Sequence, residues 1–150
     1  MEAVIFIGIQ AVGKSTFYKE RFFSTHVRIN LDMLKTRQRE SLMLQACLVA
    51  KQPFVVDNTN ILKSERASYI ELARAAGFQV QGYYFQSRLQ DALQRNSQRS
   101  GKAKIPEKGV IATHRHLEVP TLVEGFNRLF YVQIDPLSSQ FVVKERQNEI

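Results

Sequence analysis

The sequence has a single cysteine and no tryptophan, and none of its apolar runs nears the roughly 20 residues a membrane-crossing helix needs. A lone Cys47 has no partner for a disulfide and no neighbour in CxxC spacing. That excludes a disulfide scaffold and a thiolate metal site and fits a reducing compartment. Its expected place is a small buried position in a helix. Glu2 stands where a signal peptide would carry basic residues, so the chain is expected to stay in the cytoplasm, with no membrane partner. Seven glycines and four prolines are too few and too scattered to form a linker, and no internal repeat or low-complexity tract is visible.

What is present is the balance of a globular protein, with 44% hydrophobic and 23% charged residues in 150. That length supports a single domain spanning 1–150, with a core over 1–134 and a polar tail over 135–150 that either frays or adds an edge strand. Lysine and arginine exceed aspartate and glutamate by 21 to 14, a net charge of +7. Such a surface attracts polyanions, among them nucleotides and nucleic acids.

Along the chain, short β-rich runs alternate with helical periodicity. Strands are expected at Ala3–Ile7, Val27–Ile29, Phe54–Val56, Val80–Phe85 and Leu129–Ile134. Helices are expected at Ser15–Phe23, Met33–Ala50, 64–76, Leu89–Gln98 and from Pro106 on. Their buried stripes are Leu44, Cys47 and Leu48, then Tyr69, Ile70, Ala73 and Ala76, then Val110, Ile111, His114 and Leu117. Gly77 supplies a left-handed helix stop. This alternation predicts an α/β fold with a five-stranded parallel sheet between two helical layers.

Gly8-Ile9-Gln10-Ala11-Val12-Gly13-Lys14-Ser15 satisfies GxxxxGK[ST] and lies between a strand and a helix, the context that motif requires. Gly8 and Gly13 are expected to take positive φ and let backbone N–H groups close on phosphate oxygens. Lys14 reaches the β and γ phosphates and Ser15 offers its hydroxyl to Mg²⁺. The nucleotide-binding set is then Gly8, Gln10, Ala11, Val12, Gly13, Lys14, Ser15 and Thr16, and the ligands are ATP and Mg²⁺.

The order of several further stretches makes the chain resemble the 5′-hydroxyl polynucleotide kinase domain of eukaryotic DNA-repair and phage-type enzymes. These stretches are AVGKSTF, Asn30-Leu31-Asp32, Val55-Val56-Asp57-Asn58-Thr59-Asn60, RASYIELARAAG from Arg66, Arg95-Asn96-Ser97-Gln98-Arg99, Ile105-Pro106 and VPTLVEGF from Val119. The likeness runs from residue 3 to about 134. It implies a P-loop kinase fold and transfer of the ATP γ-phosphate to a nucleic-acid 5′-hydroxyl.

Phosphoryl transfer needs positioned charge and a group that accepts the acceptor's proton. Asp32, just past the second strand, is the candidate base, as the resemblance also implies, and its alternative role is to cap the next helix. Asp57 ends a strand where such proteins hold a carboxylate beside metal or substrate, so Ser15 and Asp57 form the candidate metal pair. Asn58 joins Asp57 and Lys35 as a candidate substrate contact; an Asx turn would also explain Asn58 and Asn60. Residues 88–104 carry five basic side chains against Asp91. There Arg95 and Arg99, four apart on a helix, are expected to act as a lid over ATP, with a solvated basic helix as the bland alternative.

Two departures bear on the acceptor: Leu31 stands where an arginine often precedes the aspartate, and Lys35 where phage-type members have an arginine. His114 and His116, about 200° apart on a helix, cannot share an ion. Tyr83, Tyr84 and Phe85 read as strand core before base-stacking groups. A kinase for a small hydroxylated metabolite and a non-catalytic ATP-binding module are the remaining functional classes.

Overall fold

The computed structural model describes residues 1–147. The elements run β1 (Glu2–Ile7), α1 (Lys14–Arg21), β2 (Val27–Ile29), α2 (Leu31–Leu34), α3 (Arg37–Ala50), β3 (Phe54–Val56), α4 (Lys63–Ala75), β4 (Gln79–Phe85), α5 (Leu89–Ser97), α6 (Glu107–His116), β5 (Arg128–Ile134) and β6 (Phe141–Arg146). The sheet order is β2-β3-β1-β4-β5-β6. Its first five strands are parallel, as the alternating pattern requires.

β1 is central and buried on both faces because its residues serve two separate cores. Ala3, Ile5 and Ile7 point into a layer with Leu44, Cys47 and Leu48 of α3 and Tyr69, Ile70 and Ala73 of α4. Val4 and Phe6 point into an aromatic layer with Phe17, Phe22 and Phe85. Phe6, Phe17 and Phe85 meet tilted or edge to face at centroid distances of 5.0 to 5.9 Å, the arrangement their quadrupoles favour.

The sixth strand resolves the choice left open for the tail. β6 pairs antiparallel with β5, with Val143 opposite Val132, and turns back through a tight bend closed by Asp135 N–H donating to the Gln140 carbonyl at 2.8 Å. Phe141 then packs on Phe17 at 5.0 Å. A Cβ at Gly13 would sit 3.0 Å from the Phe141 ring, so this tail segment closes against the loop after β1. Residues 148–150 of the expected tail lie outside the described residues.

The helix expected over 33–50 is two helices. Lys35 takes φ 75° and ends α2, and Thr36 restarts the chain by accepting a hydrogen bond from Arg39 N–H at 3.1 Å. The stripe expected on α6 is also shifted: Val110 is buried and His114 is exposed, while Thr113 turns inward. Among the described residues, no helix is long and apolar enough to cross a membrane.

Candidate active site

A cleft of about 580 Å³ opens at the carboxyl edge of the parallel strands, where β1 is flanked by β3 on one side and β4 on the other. Open α/β sheets bind ligands at such a switch point, since the strand ends on its two sides lead away in opposite directions. Gln10, Ala11, Gly13, Lys14, Ser15, Asp32, Asp57, Asn58 and Arg99 of the expected set line it.

The loop between β1 and α1 differs in one respect from expectation. Gly13 has φ 95°, but the other left-handed residue is Ala11 at φ 62°, while Gly8 is not in the positive-φ set. Gly8 is needed for space instead, because a Cβ there would lie 3.1 Å from Phe85 Cβ and from Val12 Cγ2. Its N–H donates to Thr59 O at 3.0 Å, so Gly8 spends that group on the fold. Val12 is buried in the aromatic layer and Thr16 sits on the exposed side of α1; neither side chain faces the cleft.

Lys14 is half-buried, and its Nζ donates to the carbonyls of Gly8 at 2.8 Å and Ile9 at 2.6 Å. Burial pushes its pKa down to about 8, and the Arg99 charge pushes the same way, against the pull of Asp57 and Asp32. Gln10 Nε2 donates to Thr113 Oγ1 at 3.0 Å and ties the loop to α6.

Asp32 lies in the first turn of α2, exposed to the cleft. It does not cap the helix. Asn30 does, its Oδ1 accepting from Met33 N–H at 2.9 Å while its Nδ2 donates to the Asp57 carbonyl. Asn58, just past the end of the neighbouring strand β3, holds the same turn, accepting from Leu31 N–H at 2.8 Å and donating to Glu40 Oε2 at 3.0 Å. Glu40 is 5% exposed and also accepts from the Tyr69 hydroxyl and Arg37 Nη1, both at 2.9 Å. The chain therefore fastens the Asp32 turn through a buried carboxylate one helix away. Asn58, read from sequence as a substrate contact, has both ends of its amide committed to that fastening.

Asp57 is 2% exposed at the end of β3. Its Oδ2 accepts from Ser15 Oγ at 3.1 Å and from Arg28 Nε at 2.9 Å, and Arg28 Nη2 donates to Ser15 Oγ at 2.9 Å. Behind it, the fully buried Arg66 donates to Glu124 at 2.8 and 3.1 Å and to Asn60 O at 2.9 Å, fixing the loop that follows β3.

Two further expected contacts are not brought to this cleft. Lys35, turned outward by its left-handed backbone, does not line it; Arg37, two residues on, does. Arg95 and Arg99 do not share a helix face, because α5 ends at Ser97 and Arg99 lies beyond it in the turn before a short 3-10 segment, Gly101–Ala103. Arg99 faces the cleft with Lys102. Arg95 faces a second cleft, lined also by Arg88, Ile134 and Asp135, between α5 and the bend joining β5 to β6.

Sequence reading missed Arg28, Arg37, Glu40 and Arg66. Glu40 and Arg66 carried a signal: each falls on a buried stripe, Glu40 with Leu44, Cys47 and Leu48, Arg66 with Tyr69, Ile70 and Ala73. A charge on such a stripe must be paired. Arg28 sat inside a short expected strand and gave no such sign.

A parallel sheet whose first strand feeds a phosphate-type loop and a helix, with a carboxylate at the end of a neighbouring strand, defines a P-loop kinase-like domain. A family model described as an AAA domain matches residues 4–120, and the chain belongs to that family. A curated relative, the bifunctional polynucleotide phosphatase/kinase of Schizosaccharomyces pombe, is 26% identical over 132 residues, 85% of this chain; the chain spans about a third of that relative's length (32%). Among solved structures, a gluconokinase from Sinorhizobium meliloti superposes with a TM-score of 0.65 at 18% identity, covering 91% of this chain and 85% of that one. Chaetomium thermophilum Kti12, solved with ADP-AlF3, gives 0.66 at 16% identity with 91% of both chains covered. At these identities the two structures share the fold.

Proposed function

We propose that this domain transfers the γ-phosphate of ATP to a hydroxyl, and that the acceptor is the 5′-hydroxyl end of a nucleic acid. The observation that carries the reading is the convergence of Lys14, Ser15, Asp57, Asp32 and Arg99 on one cleft from four separate segments of chain.

In this reading the backbone of Gln10 to Gly13 and the α1 N-terminus hold the phosphates. Lys14 leaves the loop carbonyls to meet the β and γ oxygens. Ser15 Oγ and Asp57 Oδ2 fit a magnesium ion: bonds of about 2.1 Å at right angles put neighbouring oxygens about 3 Å apart, and these two are 3.1 Å apart. When bound, the ion neutralises charge on the phosphates. Asp32 accepts the proton of the attacking hydroxyl, and Arg99 stabilises charge on the transferring group.

The base takes the second cleft, where Arg95 offers a guanidinium plane. Ile134, which lines that cleft, is 3.4 Å from a Cβ built at Gly13, so the second cleft borders the phosphate loop. Arg37 and Lys102 at the main cleft, the net charge of +7 and the likeness to a phosphatase/kinase that acts on polynucleotides support a polyanionic acceptor over a neutral metabolite.

The test is incubation with γ-labelled ATP and a 5′-hydroxyl oligonucleotide, with and without EDTA. Label on the oligonucleotide, lost with EDTA and weakened by salt, supports the reading. Label only on a small hydroxylated acceptor assigns a metabolite kinase, and nucleotide binding without transfer assigns an ATP-binding module.

A further inference from the structure

Among the described residues, Arg28 is the arginine whose guanidinium spans both candidate metal ligands. Its Nε lies 2.9 Å from Asp57 Oδ2 and its Nη2 lies 2.9 Å from Ser15 Oγ, and those two oxygens are themselves 3.1 Å apart. The arrangement uses the same lone pairs that a divalent cation would take. Two donors from one planar group also hold the oxygens at the separation an octahedral ion requires.

We infer that Arg28 is a built-in counter-ion that keeps the metal edge assembled before a divalent cation enters and must leave that edge for the ion to bind. The inference rests on the kinase reading in one respect: the ion arrives with a nucleotide diphosphate or triphosphate. Asp57 is 2% exposed, so a carboxylate there without a cation would be an unpaired buried charge; Arg28 removes that cost. The arginine side chain is 26% exposed and faces the cleft, its guanidinium carbon 6.0 Å from the Tyr18 ring, so its head has a path out while the stem stays in place. Once displaced, its charge remains beside the phosphates that brought the ion. Arg28 is thus a positioning residue that sets how much divalent cation the site demands.

The experiment uses Mn²⁺ as the probe, titrated into the protein at saturating ADP and followed by electron paramagnetic resonance. Replacing Arg28→Met keeps the stem and removes the competitor, and the variant should half-saturate at about tenfold lower Mn²⁺ than the native protein, an effect of the size that charge-assisted hydrogen bonds carry. Arg28→Lys, which keeps the charge but not the fork, should shift by less. Equal or weaker Mn²⁺ binding by Arg28→Met overturns the proposal. A measurement on the native protein covers the case in which variants fail to fold: the Arg28 Nε–H resonance in ¹⁵N spectra should be protected without metal and lose that protection with Mg²⁺ and ADP. Persistence of the protected signal under saturating Mg²⁺ and ADP also overturns it. ADP binding without any metal uptake defeats this inference alone, whereas failure to bind ADP defeats the kinase reading beneath it.

Discussion

The wall of the cleft that carries Asp32 and the wall that carries Arg99 face the same phosphate loop but are anchored differently. The Asp32 turn is held by two amides, the buried Asn30, which bonds Met33 N–H, and the partly buried Asn58, which bonds Leu31 N–H and leads through Glu40 to Tyr69 in the core. On the opposite wall every residue from 97 to 104 is exposed, and one buried side chain closes the segment. Asn96, 1% exposed, pairs with Ile105 as a strand would, its Oδ1 accepting from Ile105 N–H at 2.9 Å and its Nδ2 donating to the Ile105 carbonyl. A proton acceptor must sit within a few tenths of an ångström of its place, whereas a charged lid must admit nucleotide and close. The contrast in anchoring fits the roles proposed for Asp32 and Arg99.

The largest effect is expected at the point the rigid wall exists to hold. Asp32→Asn should lower the rate of phosphoryl transfer about a thousandfold, within the range for losing a general base, while leaving ADP affinity unchanged. Single-turnover transfer and ADP titration measure the two. A rate within threefold of the native value would remove Asp32 from the chemistry and with it the reason for the buried anchoring.

Next comes the anchor itself. Glu40→Ala leaves the Tyr69 hydroxyl, the Asn58 amide and Arg37 without their common acceptor, and should cost about 2–3 kcal/mol of stability in urea unfolding. It should also lower kcat through the Asp32 turn. A stability loss with native kcat would show that the anchor serves the fold alone. Asn96→Ala makes the converse case: a loss of about 1–2 kcal/mol, faster amide hydrogen exchange confined to residues 97–104, and a several-fold rise in the KM for ATP with kcat less affected. Equal exchange rates on the two walls of the native protein would erase the comparison.

The same asymmetry governs what could be read from the sequence. The five parallel strands, the loop Gly8–Ser15 and the cleft positions of Asp32 and Asp57 followed from apolar runs ending in glycine or acid. They were legible because strand ends and phosphate loops constrain residue type locally. The break at Lys35 was not, since a lysine at φ 75° has no preference that announces it and the helical stripe continues beyond. Arg95 and Arg99 looked like helix neighbours because nothing in that stretch marks the end at Ser97. Glu40, Asn58 and Tyr69 meet from three elements far apart in sequence, so their network is a product of packing, and spacing alone hints only that Glu40 faces inward.

The smallest effect is a pH dependence that isolates this network from the lid. Burial, with the Glu40 carboxylate beside it, pushes the Tyr69 pKa from 10.0 up to about 12. A raised pKa in the folded state means that the fold favours the neutral phenol. Tyr69's contribution to stability is therefore fully present below pH 10 and is lost as pH rises from 10 toward 12, where the unfolded chain ionises first. Tyr69→Phe should cost about 1 kcal/mol at neutral pH and flatten the fall above pH 10. Some slope should remain, because Tyr18, Tyr83 and Tyr84 also have raised values from burial. Urea midpoints at pH 8, 10 and 11.5 measure it. An identical slope in the two proteins would mean that the Tyr69 hydroxyl is not held against Glu40, and that the anchoring of the wall carrying Asp32 stops at Glu40.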